Sequence, residues 1–96
     1  MDRAQTLTLL QSHLPTLAQE YGVKSLALFG SLARDQADEG SDVDILVAFD
    51  GPATSARYFG LQFYLEDLLG RPVDLVTDKA LRSELRPYVE REAVHV

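Results

Sequence analysis

Between residues 2 and 21, Leu7, Leu10, Leu14, Leu17, Ala18 and Tyr21 recur at intervals of three and four, the spacing that gathers side chains on one helical face. Pro15 falls inside that pattern, which predicts a kink or a pair of short helices rather than one straight rod. Gly22 supplies a stop, since glycine accepts the left-handed conformation that commonly follows a helix. The apolar segment 23–29 then runs into Gly30 and Ser31, the pattern of a buried strand entering a turn. Residues 31–40 predict one or two helical turns followed by a polar loop. In 42–49, Val43, Ile45, Val47 and Phe49 alternate with Asp42, Asp44, Leu46 and Ala48, the period-two signature of a second strand.

After the break at Asp50, Gly51 and Pro52, Thr54 or Ser55 caps a helix reaching Leu69, with Tyr58, Leu61, Leu65 and Leu68 on its apolar stripe and Gly70 at its end. Residues 71–77 form a third strand around Asp74. Thr77 or Asp78 then caps a last helix through Leu81 and Leu85, kinked or restarted at Pro87, and 93–96 add a short edge strand. Alternation of helix and strand in one short chain predicts an α/β (α+β) fold, a small mixed or antiparallel sheet flanked by helices. Residues 1–96 suffice for a single domain and are too few for two independent cores.

Composition narrows the function classes. An apolar share of 46% excludes a disordered chain, and no apolar run approaches the ~20 residues of a membrane span. Zero cysteines exclude a thiolate metal site and fit a reducing cytoplasm. Fifteen acidic residues against nine scattered basic ones leave a charge of −6, which repels an extended nucleic acid but permits one nucleotide held through a cation.

The candidate chemistry lies in three aspartates. Asp42 and Asp44, two apart on a strand, project to one face, and a neighbouring third strand would aim Asp74 at the same spot. Two like charges ~5 Å apart repel by about 3 kcal/mol at an effective dielectric near 20, so something positive should compensate. Carboxylates without His or Cys suit Mg²⁺ that completes its coordination with water and substrate phosphates. Gly30 lets backbone approach a ligand closely, and Ser31 offers a hydroxyl and an N–H for phosphate at a helix start.

Together Gly30-Ser31-Leu32-Ala33-Arg34, Ser41-Asp42-Val43-Asp44-Ile45 and Val73-Asp74-Leu75-Val76 resemble the nucleotidyltransferase superfamily of DNA polymerase beta. The chain is most similar to the minimal nucleotidyltransferases (MNT), antitoxins paired with HEPN toxins. The resemblance implies a polymerase beta palm-like core, Asp42, Asp44 and Asp74 as catalytic and metal-binding residues, and Gly30 and Ser31 holding ATP. It further implies Mg²⁺, as two ions, and transfer of AMP from ATP to a tyrosine of a HEPN toxin, with assembly into homo- or hetero-oligomers open. Asp35 departs from the family pattern, which has glycine after the arginine, and puts the phosphate loop in question. Two other readings stay open: a non-catalytic antitoxin that neutralises its toxin by binding, and nucleotidyl transfer to a small molecule.

Arg34 is expected to pair with Asp38 or Glu39, and Lys79 and Arg82 to sit as solvated charges on the last helix. Tyr58, Phe59, Phe63 and Tyr64 are expected to pack the core, with His13 and His95 at the surface.

Overall fold

The computed structural model describes residues 2–36 and 41–96. Helix α1 (Arg3–Tyr21) begins with a reciprocal cap: the Asp2 carboxylate accepts the Gln5 N–H at 2.8 Å, and the Gln5 side-chain oxygen accepts the Asp2 N–H at 3.1 Å. It stays one helix through Pro15, so the expectation of two short helices is not met. Pro15 and Gln11, whose carbonyl loses its donor, are both exposed, and water can serve that carbonyl. Leu10 and Leu17, fully buried on either side, tie both halves to one core. The apolar stripe omitted Thr6, which is buried because its hydroxyl donates to the Asp2 carbonyl at 2.8 Å, and it wrongly included Ala18, which is exposed. Gly22 ends α1 in the left-handed conformation.

Four strands follow: β1 (Val23–Phe29), β2 (Val43–Phe49), β3 (Val73–Thr77) and β4 (Val94–His95), in the sheet order β3-β2-β1-β4. β1 runs antiparallel to β2 and β4, while β2 and β3 are parallel, so the sheet is mixed. The β2–β3 connection passes through α3 (Ser55–Leu69), as a parallel pair requires. Thr54 caps that helix through the Arg57 N–H at 3.3 Å, and Gly70 closes it.

A single turn, α2 (Gly30–Ala33), follows β1. The last helix differs from expectation: 78–85 form turns, and α4 spans Arg86–Glu92. Pro87 sits in its first turn, where no N–H is needed, and so starts the helix rather than kinking one.

Period two decides which face each strand residue serves. Val43, Ile45 and Val47 from β2, Leu26 and Leu28 from β1, and Val73 and Leu75 from β3 form one buried cluster with Leu10, Leu17, Leu61, Leu65 and Leu69 of α1 and α3. The alternate residues, among them Asp44, Leu46, Ala48 and Asp74, belong to the opposite sheet face. No helix among the described residues is long and apolar enough to cross a membrane.

Candidate active site

Strand register assembles the site. Asp44 of β2 is paired with Phe29 of β1 on one side and with Asp74 of β3 on the other. Laterally paired residues share a sheet face, so Asp44 and Asp74 lie side by side, opposite the core. Asp42 immediately precedes β2, two residues from Asp44. The Asp44 carboxyl is half-buried, and Asp42 and Asp74 are exposed.

Electrostatics record how near the three groups are. The Asp44 carboxyl is pushed up to about 6, chiefly by burial, then by the charges of Asp74 and Asp42 and a side-chain hydrogen bond with Asp74; Arg34 acts in the opposite sense. Among the described residues, no group of three His, Cys, Asp or Glu side chains could hold a metal ion by itself. The convergence is therefore a laterally paired Asp44 and Asp74, with Asp42 within electrostatic reach.

The glycine turn touches the same pair. Gly30 has φ +72°, and a Cβ built there would overlap the Asp44 carboxylate, so both the backbone conformation and the close approach exclude a side chain. Ser31 follows at the second position of α2, partly exposed. Glycine turn and carboxylate cluster thus form one continuous surface.

The next turn accounts for Asp35, which has φ +59°. Its N–H bonds the Leu32 carbonyl at 3.0 Å, and the Gln36 N–H bonds the Ser31 carbonyl at 2.8 Å, the paired bonds that close a helix on a left-handed residue. Glycine is the usual occupant of such a position, and aspartate is among the few side chains that tolerate it. Asp35 therefore adopts a conformation open to glycine as well. Arg3 secures the same turn from α1, donating to the Ala33 carbonyl at 3.0 Å.

Several other expectations need correction. Arg34 is paired, but with Glu92 of α4 at 2.8 Å; the expected partners Asp38 and Glu39 lie outside the described residues. Lys79 and Arg82 lie in the turns before α4, because the helix expected there does not form. Phe59 and Phe63 are 51% and 65% exposed rather than packed in the core, whereas Tyr58 and Tyr64 are half-buried. His13 is not a free surface group: its Nδ1 lies 2.7 Å from the Tyr64 hydroxyl between α1 and α3. Sequence reasoning also missed a groove of about 360 Å³ on the aspartate-bearing face, with Leu46 and Ala48 of β2 and Ala27 of β1 in its floor and Arg86 and Glu90 of α4 along one side. Only the small residues at alternate positions signalled it.

Residues 10–95 match the nucleotidyltransferase domain family. The protein adenylyltransferase MntA of Thermococcus cleftensis is 42% identical over 89 residues, covering 93% of this chain and 90% of that protein. A relative from Methanocaldococcus jannaschii, provisionally named a protein adenylyltransferase, is 44% identical over 85 residues, covering 86% of this chain and 82% of its own. A solved structure assigned as a minimal nucleotidyltransferase is 39% identical and superposes with a TM-score of 0.82 over 98% of this chain and 95% of the other. A toxin–antitoxin complex with AMP-PNP shares the fold at 22% identity and a TM-score of 0.70, over 99% of this chain and 72% of that one. With its glycine turn, its paired strand aspartates and a family match over nearly its whole length, the chain belongs to the nucleotidyltransferase domain family, in its minimal (MNT) branch.

Proposed function

We propose that this nucleotidyltransferase moves AMP from ATP to a tyrosine hydroxyl of a HEPN-family toxin and thereby acts as its antitoxin. The observation that carries the reading is the contact of Gly30 with Asp44, itself paired with Asp74, which puts an anion-accepting turn beside two acids. Relatives named protein adenylyltransferase support the protein acceptor. A structural neighbour from Shewanella oneidensis, 22% identical, is an MNT antitoxin in complex with a tri-AMPylated HEPN toxin, and supports the partner class.

In this reading Gly30 and Ser31 hold the triphosphate, with backbone N–H groups and the Ser31 hydroxyl directed at its oxygens. Asp42, Asp44 and Asp74 are the residues to hold Mg²⁺. They fit it by donor chemistry: all are carboxylate oxygens, and Asp44 and Asp74 are paired across neighbouring strands. Held by these carboxylates, Mg²⁺ would supply positive charge to the phosphates and the leaving pyrophosphate. Asp74, on the edge strand, orients the attacking hydroxyl and accepts its proton. The tyrosine oxygen forms a bond to the α-phosphorus as the bond to the β-phosphate oxygen breaks, releasing pyrophosphate. The acidic surface accords with a protein acceptor rather than a nucleic-acid strand. The described fold, with one buried cluster, is read as a single domain spanning 1–96.

Incubation with ATP labelled at the α-phosphate, Mg²⁺ and the HEPN-family partner tests the proposal. Label on a partner tyrosine with the native chain, and none with Asp44→Ala, is the expected result. Protection of cells from the toxin by an Asp42→Ala/Asp44→Ala variant, without any labelling, would favour neutralisation by binding alone.

A further inference from the structure

β3 is an edge strand, paired among the described residues only with β2. The Pro72 carbonyl accepts the Val43 N–H and the Asp78 N–H donates to the Val47 carbonyl, each at 2.9 Å, so backbone groups of the even-numbered residues face β2. By the period of a strand, those of Val73 and Leu75 face the open edge, where unpaired groups ordinarily meet water or another chain.

Here they meet one row of side chains from α3. Tyr58 donates its hydroxyl to the Leu75 carbonyl at 2.5 Å, Gln62 donates its amide to the Val73 carbonyl at 3.2 Å, and Glu66 accepts the Val73 N–H at 3.0 Å. These residues stand four apart, a rise of ~6 Å per step along the helix. Two residues of strand advance ~6.6 Å, so the step from Gln62 to Tyr58 matches that from Val73 to Leu75, while Glu66 and Gln62 share Val73 and take up its N–H and its carbonyl. The residues it grips, Val73 and Leu75, are those on either side of Asp74.

We infer that the Tyr58–Gln62–Glu66 row is a positioning device that sets Asp74 against Asp44 for nucleotidyl transfer. The inference rests on the catalytic role proposed above for Asp74. Main-chain bonds to β2 hold Asp74 from one side, and the row holds both its neighbours from the other. Without the row, Asp74 would sit on a one-sided edge strand, free to shift along or away from β2. A displacement of ~1 Å at a reacting group can lower turnover by about a hundredfold, whereas ATP held by Gly30 and Ser31 would bind as before.

Glu66→Leu removes the acceptor of the Val73 N–H, while Glu66→Gln keeps an oxygen able to accept it. Tyr64→Phe serves as the control, because it deletes a half-buried hydrogen bond of the same helix, to His13, without touching β3. For AMP transfer to the HEPN-family partner, Glu66→Leu should lower kcat by roughly tenfold or more with KM for ATP changed less than about twofold. Glu66→Gln and Tyr64→Phe should keep the native kcat. If Glu66→Leu does not fold, Tyr58→Phe is the milder variant and should show the same split.

Mn²⁺ affinity of the nucleotide-free protein, measured by calorimetry, supplies a readout independent of the reaction. It should weaken severalfold in Glu66→Leu and stay native in Tyr64→Phe. Loss of AMP transfer in the native chain with this Mn²⁺ pattern intact would refute the proposed function and leave the row standing. Native kcat and Mn²⁺ affinity in folded Glu66→Leu or Tyr58→Phe would overturn the inference.

Discussion

At the scale of single residues, Asp44 carries an opposition between stability and activity. Its carboxyl has a higher pKa in the fold, about 6, than its ordinary value of 3.8. Between those values the folded state binds more protons than the unfolded one, so stability falls as pH rises through the window and returns as pH drops below it. In metal-free protein, Asp44→Asn should therefore be more stable than the native chain at pH 7 to 8, by ~1 kcal/mol once solvent screening of this half-open group is discounted. The gap should close towards pH 4, as urea melts at a series of pH values would read. The same substitution should abolish transfer. Gly30 and Asp35 make a second contrast, since both have positive φ but only Gly30 meets a carboxylate where a Cβ would stand. Gly30→Ala should lower transfer by at least about tenfold through displacement of Asp44. Asp35→Gly should leave activity native and change melting stability by no more than ~0.5 kcal/mol, because glycine adopts the same conformation.

At the scale of elements, α1 tests how a helix tolerates an internal proline. Pro15 is exposed, so Pro15→Ala should stabilise the protein by about 1 to 3 kcal/mol, less whatever its rigidity removes from the unfolded chain. Chemical denaturation of the two proteins decides this, and no gain would show that the ring makes a contact of its own. The same helix shows what was legible in sequence. Its existence, its glycine stop and the alternation in β2 are local signals that appear as read, while its buried face is shifted to take in Thr6 and leave out Ala18. The break before α4 was misread because Leu81 and Leu85 stand at helical spacing, while Pro87, which prefers a first turn, marks the true start. Burial of Thr6 depends on a bond to a backbone carbonyl that spacing does not reveal. The exposure of Phe59 and Phe63 was hidden for a related reason: α3 spends its faces on the core, on α1 and on β3, and leaves those two rings outward.

At the scale of the molecule, the proposed function rests on one topological fact. A parallel β2–β3 pair puts Asp44 beside Asp74, and an antiparallel β1 brings the glycine turn to the same end of the sheet. The residues of that cluster could be named from the chain alone. The row of Tyr58, Gln62 and Glu66 could not, since its partners are main-chain groups of a strand remote in sequence. If Asp44 and Asp74 work as one unit, their removal should be non-additive, because the first substitution already disables what the second would remove. The most direct test is the rate of AMP transfer to the proposed HEPN-family partner by Asp44→Asn, Asp74→Asn and the double variant. The account predicts that each single substitution lowers the rate by about a thousandfold or more and that the double variant is scarcely slower than either. Near-native rates in either single variant, or losses that simply multiply, would contradict it.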